Sequence, residues 1–367
     1  MTELEKEPAD ETSEPQAVAS TERLEWADRA RGRMVRLPGG RARLTTELAR
    51  TCGFEIALDA SVVVETEYLH LGADVRIGPG VRIETDRLSL GDSVTIGAAS
   101  TLITRELILA DGVLLGEQLS VDLAGGLNPD SRLLAGPACV IGSGALINTC
   151  REVLLDTESA VSPRCMIFTH SFWQSILDGY GARFLPVRID SNAWVGAGST
   201  LLPGIRVGSG AVVMSNSTVI GDVPAETLVG GVPARVMRRH IRRQLDSEKK
   251  RQIVAGLLPP FAEHLRARGC QVDASGESSL LITLADATEH RVRLAAATDA
   301  TPPRAREVVL SVSRWPSGPG DGTVFDLDLH RMSGAENPLV FEMRNFLRRF
   351  GIRFEPYGWR ADYRKGM

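Results

Sequence analysis

The 367-residue sequence predicts a mainly β protein built as a solenoid, a tube of short parallel strands stacked in coils. Three observations predict it. First, Ile189, Val195, Leu201, Val207, Val213 and Val219 stand at intervals of six without a slip. Neither a helix, with a period near 3.6, nor a flat strand, with a period of 2, gives that spacing. Second, small residues keep a fixed phase with the aliphatic ones. Gly196 and Gly208 follow directly, and Ala193, Ser199, Ala211 and Ser217 lie four positions after. Third, the rhythm recurs upstream with breaks. Leu71, Ile77 and Ile83 form one run; after one extra residue, Leu90, Ile96, Leu102, Ile108 and Leu114 form a second. Ile141, Ile147 and Val153 form a third, continued by the small Ser159 and Cys165. A β-sandwich would scatter aliphatics at even spacings, with turns every 8–12 residues or so. Three six-residue units close one triangular coil of about 18 residues.

The elements follow in chain order. Residues 1–35 form an acidic N-terminal segment. Its first twenty residues hold six acids against one lysine, too little apolar surface to offset ordering entropy, so disorder is expected there. A short helix is expected around Thr21–Arg33. The solenoid domain spans 36–238, with 36–60 capping its open end. Two segments break the period: 122–136 (DLAGGLNPDSRLLAG) and 169–186 (THSFWQSILDGYGARFLP). Loops projecting from a rigid scaffold are where chemistry concentrates. Residues 239–269 read as a helical connector that Pro259-Pro260 should end or bend. Residues 270–367 read as a separate C-terminal α+β domain: strands at CQVDAS, SLLITLAD, EHRVRLAA, REVVLSVSR and TVFDLDL, then a helix at PLVFEMRNFLRRFG.

Composition narrows the function classes. A net charge of −4 gives no reason to expect nucleic-acid binding. No run of about 18 apolar residues predicts a membrane span, and an acidic start without an apolar signal region argues for a cytoplasmic protein. Five cysteines, an odd number without C-x-x-C spacing, read as reduced thiols. Cys139 and Cys165 fall in or beside inward slots and read as core. No histidine or cysteine spacing suggests a metal site.

Asn192-x-Trp194-x-Gly196, Leu202-Pro203-Gly204, Gly231-x-Pro233-Ala234-Arg235 and a preceding Thr169-His170 carry a family resemblance. Across about 140–238 the sequence resembles the hexapeptide-repeat acyltransferases, near their sugar and xenobiotic O-acetyltransferase branch. From 61 to 140 only the repeat rhythm matches, and 240–367 match no family. The resemblance implies a left-handed parallel β-helix, a homotrimer with clefts between subunits, and acetyl-coenzyme A as acyl donor. The hand rests on resemblance alone, because parallel crossovers are otherwise right-handed.

The chemistry centres on His170. Acyl transfer to a hydroxyl needs a base for the acceptor's proton, and imidazole suits that at neutral pH. Asn148 and Glu152 lie about one coil earlier and complete the candidate catalytic set, since either could fix the histidine's tautomer or position. The resemblance places the thioester carbonyl near the backbone N–H of Ala197 and makes Trp194 a wall of the cleft. Ser215 would flank an extended pantetheine arm. Arg235 and Arg238 would meet the nucleotide phosphates. Relatives often carry a lysine before the Asp-x-Pro element where this chain has Gly221, and Arg239 could compensate. Phe172, Trp173 and Tyr180 could stack on a sugar or pack the loop. The expected acceptor is a carbohydrate or a glycosylated small molecule. N-acetylation of an amino sugar, transfer of a longer acyl chain and a non-catalytic scaffold remain the alternatives.

Overall fold

The structure, a computed structural model, describes residues 24–122, 128–274, 276, 278–284, 286–296, 299, 301–315 and 320–354. The acidic stretch 1–20 lies outside them. Three parallel sheets form the walls of a triangular solenoid, and the chain visits them in strict rotation. Tyr68–Leu71 lies on the first face, Arg76–Ile77 on the second and Arg82–Glu84 on the third; Arg87–Leu90 then stacks on Tyr68–Leu71. The ladders hold eight, nine and nine strands.

The strands send residues inward in pairs two positions apart, and in many the first member is the smaller. Ala193 and Val195, Ser199 and Leu201, and Ala211 and Val213 are such pairs, all buried. Ser159 and Cys165 are the small members of pairs with Val161 and Ile167. Burial pushes the Cys139 thiol up to about 12, so it packs as a neutral apolar group. The corner glycines answer a steric demand. A Cβ on Gly196 would lie 2.6 Å from the backbone nitrogen of Ser215 in the next coil.

The period carries two more slips than the sequence reading allows, one before Leu109 and one before Leu155, where Val140 stacks on Ala160, 20 positions on. Leu102 is followed inward by Leu109 and Leu115, not by Ile108 and Leu114. Thr95 stacks on Leu114, 19 positions on, whereas Trp194 stacks on Val212, 18 positions on. The extra residue enters the four-residue strands of the first face, such as Glu106–Leu109. It turns Ile108 outward, where helix α1 (Glu25–Arg33) covers it together with Leu134 and Leu154. Arg31 clamps α1 to the buried Glu106 with bonds of 2.7 and 3.0 Å.

Val35–Arg36 and Ala42–Arg43 pair antiparallel with the first coil, and α2 (Thr46–Thr51) follows. Arg235–Arg238 closes the second face at the far end, antiparallel to Leu228–Gly230. These pairings cover the first and third faces at one end and the second face at the other.

Helix α3 (Ser247–Arg266) runs through Pro259 and Pro260, so of the two outcomes expected from the sequence the ending does not occur. Gly256, four before Pro260, offers no side chain to the ring, and Leu258, Phe261, Ala262 and Leu265 are buried. That packing offsets the backbone bonds the prolines forfeit. Beyond it lies a six-stranded sheet from Gln271–Ala274 to Arg331–Gly334, then α4 (Pro338–Arg348). The last strand, Arg331–Gly334, was not anticipated. Arg353 reaches from this region to Glu158 on the solenoid, at 3.2 Å.

Candidate active site

Both interruptions open from the same edge of the prism, where the third face turns into the first. The first leaves strand Ser120–Asp122 and returns at Arg132–Ala135; residues 123–127 of it lie outside the described set. The second leaves Met166–Ile167 and returns at Val187–Ile189.

A ladder of hydroxyls runs along this edge. Thr66, Thr85, Thr104, Ser131, Thr149 and Thr169 are all buried, one per coil. The Thr85 hydroxyl lies 2.8 Å from the Arg105 carbonyl, that of Thr104 lies 3.1 Å from the Ser131 carbonyl, and that of Thr149 lies 2.9 Å from the Asp122 carbonyl. Each of these carbonyls also accepts a backbone N–H from the neighbouring coil, so the hydroxyls add a further bond across the turn. Its last member, Thr169, accepts from the Arg151 N–H at 3.0 Å and lies 2.9 Å from Asn148 Oδ1. This fixes the backbone just before His170.

The second interruption folds back as a hairpin in which His170 pairs with Phe184 and Ser171 with Arg183. The His170 ring stacks on Phe184 at 6.3 Å between centroids and meets Phe172 at 5.4 Å. The Arg151 guanidinium sits over the Phe184 ring at 5.5 Å. On the other side His170 Nδ1 lies 2.7 Å from Asn148 Oδ1. Asn148 Nδ2 donates to Asp122 Oδ1 at 3.2 Å, and Asp122 stacks directly beneath Asn148 in the ladder. With the amide oxygen facing it, His170 carries its proton on Nδ1. Nε2 is left with a lone pair, the form a general base requires.

The structure brings His170 and Asn148 together and does not bring Glu152 to them. Glu152 starts the next face, 3.7 Å from Arg132, and burial raises its pKa while Arg132 opposes the shift. Trp194, Ala197 and Ser215 lie on a different edge, between the second and third faces. Trp194 is 52% exposed and donates its indole N–H to Ser162 Oγ at 2.7 Å. Among the described residues the Ala197 N–H meets no acceptor, and Ser215 occupies the matching corner one coil on. Arg235 and Arg238 are exposed on the closing strand. Arg235 pairs with Gly230 at the end of that strand nearer the Ala197 edge; Arg238 pairs with Leu228 at the other end. Within one chain, therefore, the His170 edge and the Trp194 edge are separated by the third face.

Phe172 packs against His170 and Phe184, while Trp173 and Tyr180 stand out into solvent. Sequence reasoning missed Asp122, Phe184 and Arg151. Asp122 had a signal, since it is the first residue of an interruption that the period revealed. No group of three His, Cys, Asp or Glu side chains among the described residues could hold a metal ion. No helix among them is long and apolar enough to cross a membrane.

No family model matches the chain. A 72-residue stretch is 42% identical to a 2,3,4,5-tetrahydropyridine-2,6-dicarboxylate N-acetyltransferase of Staphylococcus aureus, covering 20% of this chain and 29% of that protein. The chain thus spans less than a third of the length of the curated relatives it matches. Among solved structures it is similar to a hexapeptide-repeat acetyltransferase of Vibrio cholerae complexed with acetyl-coenzyme A. That likeness has 20% identity and a TM-score of 0.31 over 41% of this chain and 69% of that one. A maltose O-acetyltransferase of Clostridium difficile is similar at 22% identity and a TM-score of 0.23, over 33% and 66%. The solenoid itself rests on the strand pairing of this chain.

Proposed function

We propose that the protein is an acetyl-coenzyme A-dependent acyltransferase of the hexapeptide-repeat kind that O-acetylates a carbohydrate hydroxyl, with His170 as general base. The observation that carries the reading is the 2.7 Å contact between Asn148 Oδ1 and His170 Nδ1, which in the neutral ring puts the lone pair on Nε2. In the reaction Nε2 takes the hydroxyl proton as the acceptor oxygen bonds to the thioester carbon. The carbonyl oxygen becomes an oxyanion, which backbone N–H groups such as that of Ala197 stabilise. Collapse breaks the carbon–sulfur bond, and Nε2 returns its proton to the coenzyme A thiolate.

The separation of the two edges supports a homotrimer, in which one chain's His170 edge faces its neighbour's Trp194 edge. In that cleft Trp194 and Ser215 flank the pantetheine arm, and Arg235 and Arg238 meet the phosphates. N-acetylation is the second reading, favoured by the curated relatives, which are named as N-acetyltransferases.

The test is coenzyme A release with acetyl-coenzyme A and a panel of sugars and amino sugars. His170→Ala should lower turnover about 10²–10⁴-fold with folding unchanged. An ester product, cleaved by hydroxylamine, supports O-acetylation; a resistant amide supports the second reading. No release with any acceptor returns the protein to the scaffold class.

A further inference from the structure

We infer that Asp122 is a positioning residue that holds His170 in its basic tautomer by forbidding rotation of the Asn148 amide. The inference rests on the reading of His170 as a base. Asn148 can present either end of its amide to the imidazole, because oxygen and NH₂ differ little in shape. If Oδ1 faces Nδ1, the ring must donate there, and Nε2 is free to accept a proton. If the amide is flipped, an Nδ2–H points at Nδ1. Nδ1 must then be bare, the proton moves to Nε2, and no lone pair remains toward the acceptor.

Two groups choose between them: the Cys150 backbone N–H, which donates to Asn148 Oδ1 at 3.3 Å, and Asp122 on the Nδ2 side. Its carboxylate only accepts, and Oδ1 lies 3.2 Å from Asn148 Nδ2. A flipped amide would set oxygen against oxygen there with no hydrogen between them, and would forfeit the charge-assisted bond. Thr169 does not discriminate, since its hydroxyl can donate to the Asn148 carbonyl at 3.0 Å and accept from either end of the amide. The three polar side chains, Asp122, Asn148 and His170, step up one edge of the prism over successive coils. The ladder that pairs Asp122 with Asn148 makes their spacing rigid. An aspartate acting on the base through an intervening amide thus supplies orientation without placing a second negative charge on the imidazole.

The isosteric Asp122→Asn variant removes the bias on the Nδ2 side, because an asparagine can accept or donate, and leaves only the longer Cys150 N–H bond to hold the amide. It should lower kcat about tenfold with KM within about twofold, the scale on which remote hydrogen-bond partners tune a site. The direct readout is the tautomer. Selective ¹⁵N-histidine labelling and magic-angle-spinning spectroscopy resolve Nδ1–H from Nε2–H, with the His170 signals assigned by their loss in His170→Gln. Wild type should show Nδ1–H, and Asp122→Asn a mixture with Nε2–H. Adding Asn148→Asp to Asp122→Asn should restore both Nδ1–H and kcat, because a carboxylate accepts at either oxygen. The double variant also keeps the charge count and avoids two adjacent carboxylates.

Retention of pure Nδ1–H in Asp122→Asn overturns the inference. So does a kcat loss that Asn148→Asp fails to restore. If His170→Ala keeps full transfer, the reading of His170 as a base fails, while the tautomer spectra still decide what Asp122 does.

Discussion

The N-terminal coils and the C-terminal coils share one architecture and differ by one residue per turn. In the first group the extra residue lengthens the strands on one face and turns Ile108 outward, and α1 covers the widened wall. In the second group the first-face strands shrink to Arg206–Val207 and the third-face strands to Thr200–Leu201, with an exposed tryptophan and small corners. The contrast teaches that the first group is dressed on its outside for stability, while the second is left bare. Perturbing the first should show in unfolding, and perturbing the second in chemistry.

Three substitutions sharpen that division, beginning with the strongest. Leu109→Ala empties a fully buried slot in the tube and should cost about 2–5 kcal/mol, read by chemical denaturation. A cost no larger than a surface substitution would mean that the inward phase is wrong. Glu106→Gln removes the charged partner of Arg31 and should cost about 1.5 kcal/mol, the low end for a charge-assisted bond whose arginine is partly exposed. It should free α1, seen as faster tryptic cleavage at Arg31 and Arg33 while the solenoid stays intact. Unchanged cleavage would show that the apolar contacts of Ala27 hold the helix alone.

Glu152→Gln has the smallest effect and reverses the usual sign. Burial raises the Glu152 pKa, so its contribution to stability is complete below the unfolded carboxylate's value. That contribution is lost as pH rises through the raised value. The glutamine variant should therefore match wild type near pH 3.5 and be the more stable at pH 7, by under about 1 kcal/mol. A loss at pH 7 would mean that the Arg132 contact outweighs burial.

Much of the fold was legible because the tube has one rule, an inward aliphatic residue at each wall. Ile189 to Val219 obey it without interruption. Ile108 deceived because it is as apolar as an inward residue; only α1 explains it, and no period links Ala27 to Ile108. His170 was legible as the start of a loop leaving a coil, and Asn148 as lying about one coil before it. Asp122 was marked only as the first residue of an interruption; its partnership with Asn148 was hidden, because the insertion separates them by more than a coil and spacing arithmetic fails across it. Pro259-Pro260 misled for the opposite reason: local backbone chemistry was read correctly, and tertiary packing overrode it.

The corners of the prism are unequal in what they let the chain do. On two edges successive turns touch backbone to backbone: a Cβ on Gly72 would lie 2.6 Å from the nitrogen of Asp92, and one on Gly196 would lie 2.6 Å from that of Ser215. Length is fixed there, since one added residue would push a strand out of its ladder. On the third edge the chain leaves and rejoins the ladders twice, with long excursions, and the stacking above and below continues in register. Variation in this molecule therefore has an address. Segments can lengthen, shorten or be exchanged along that one margin while the spine of the tube keeps its pitch. The side chains that do chemistry there ride on a ruler ticked at about 4.8 Å per coil.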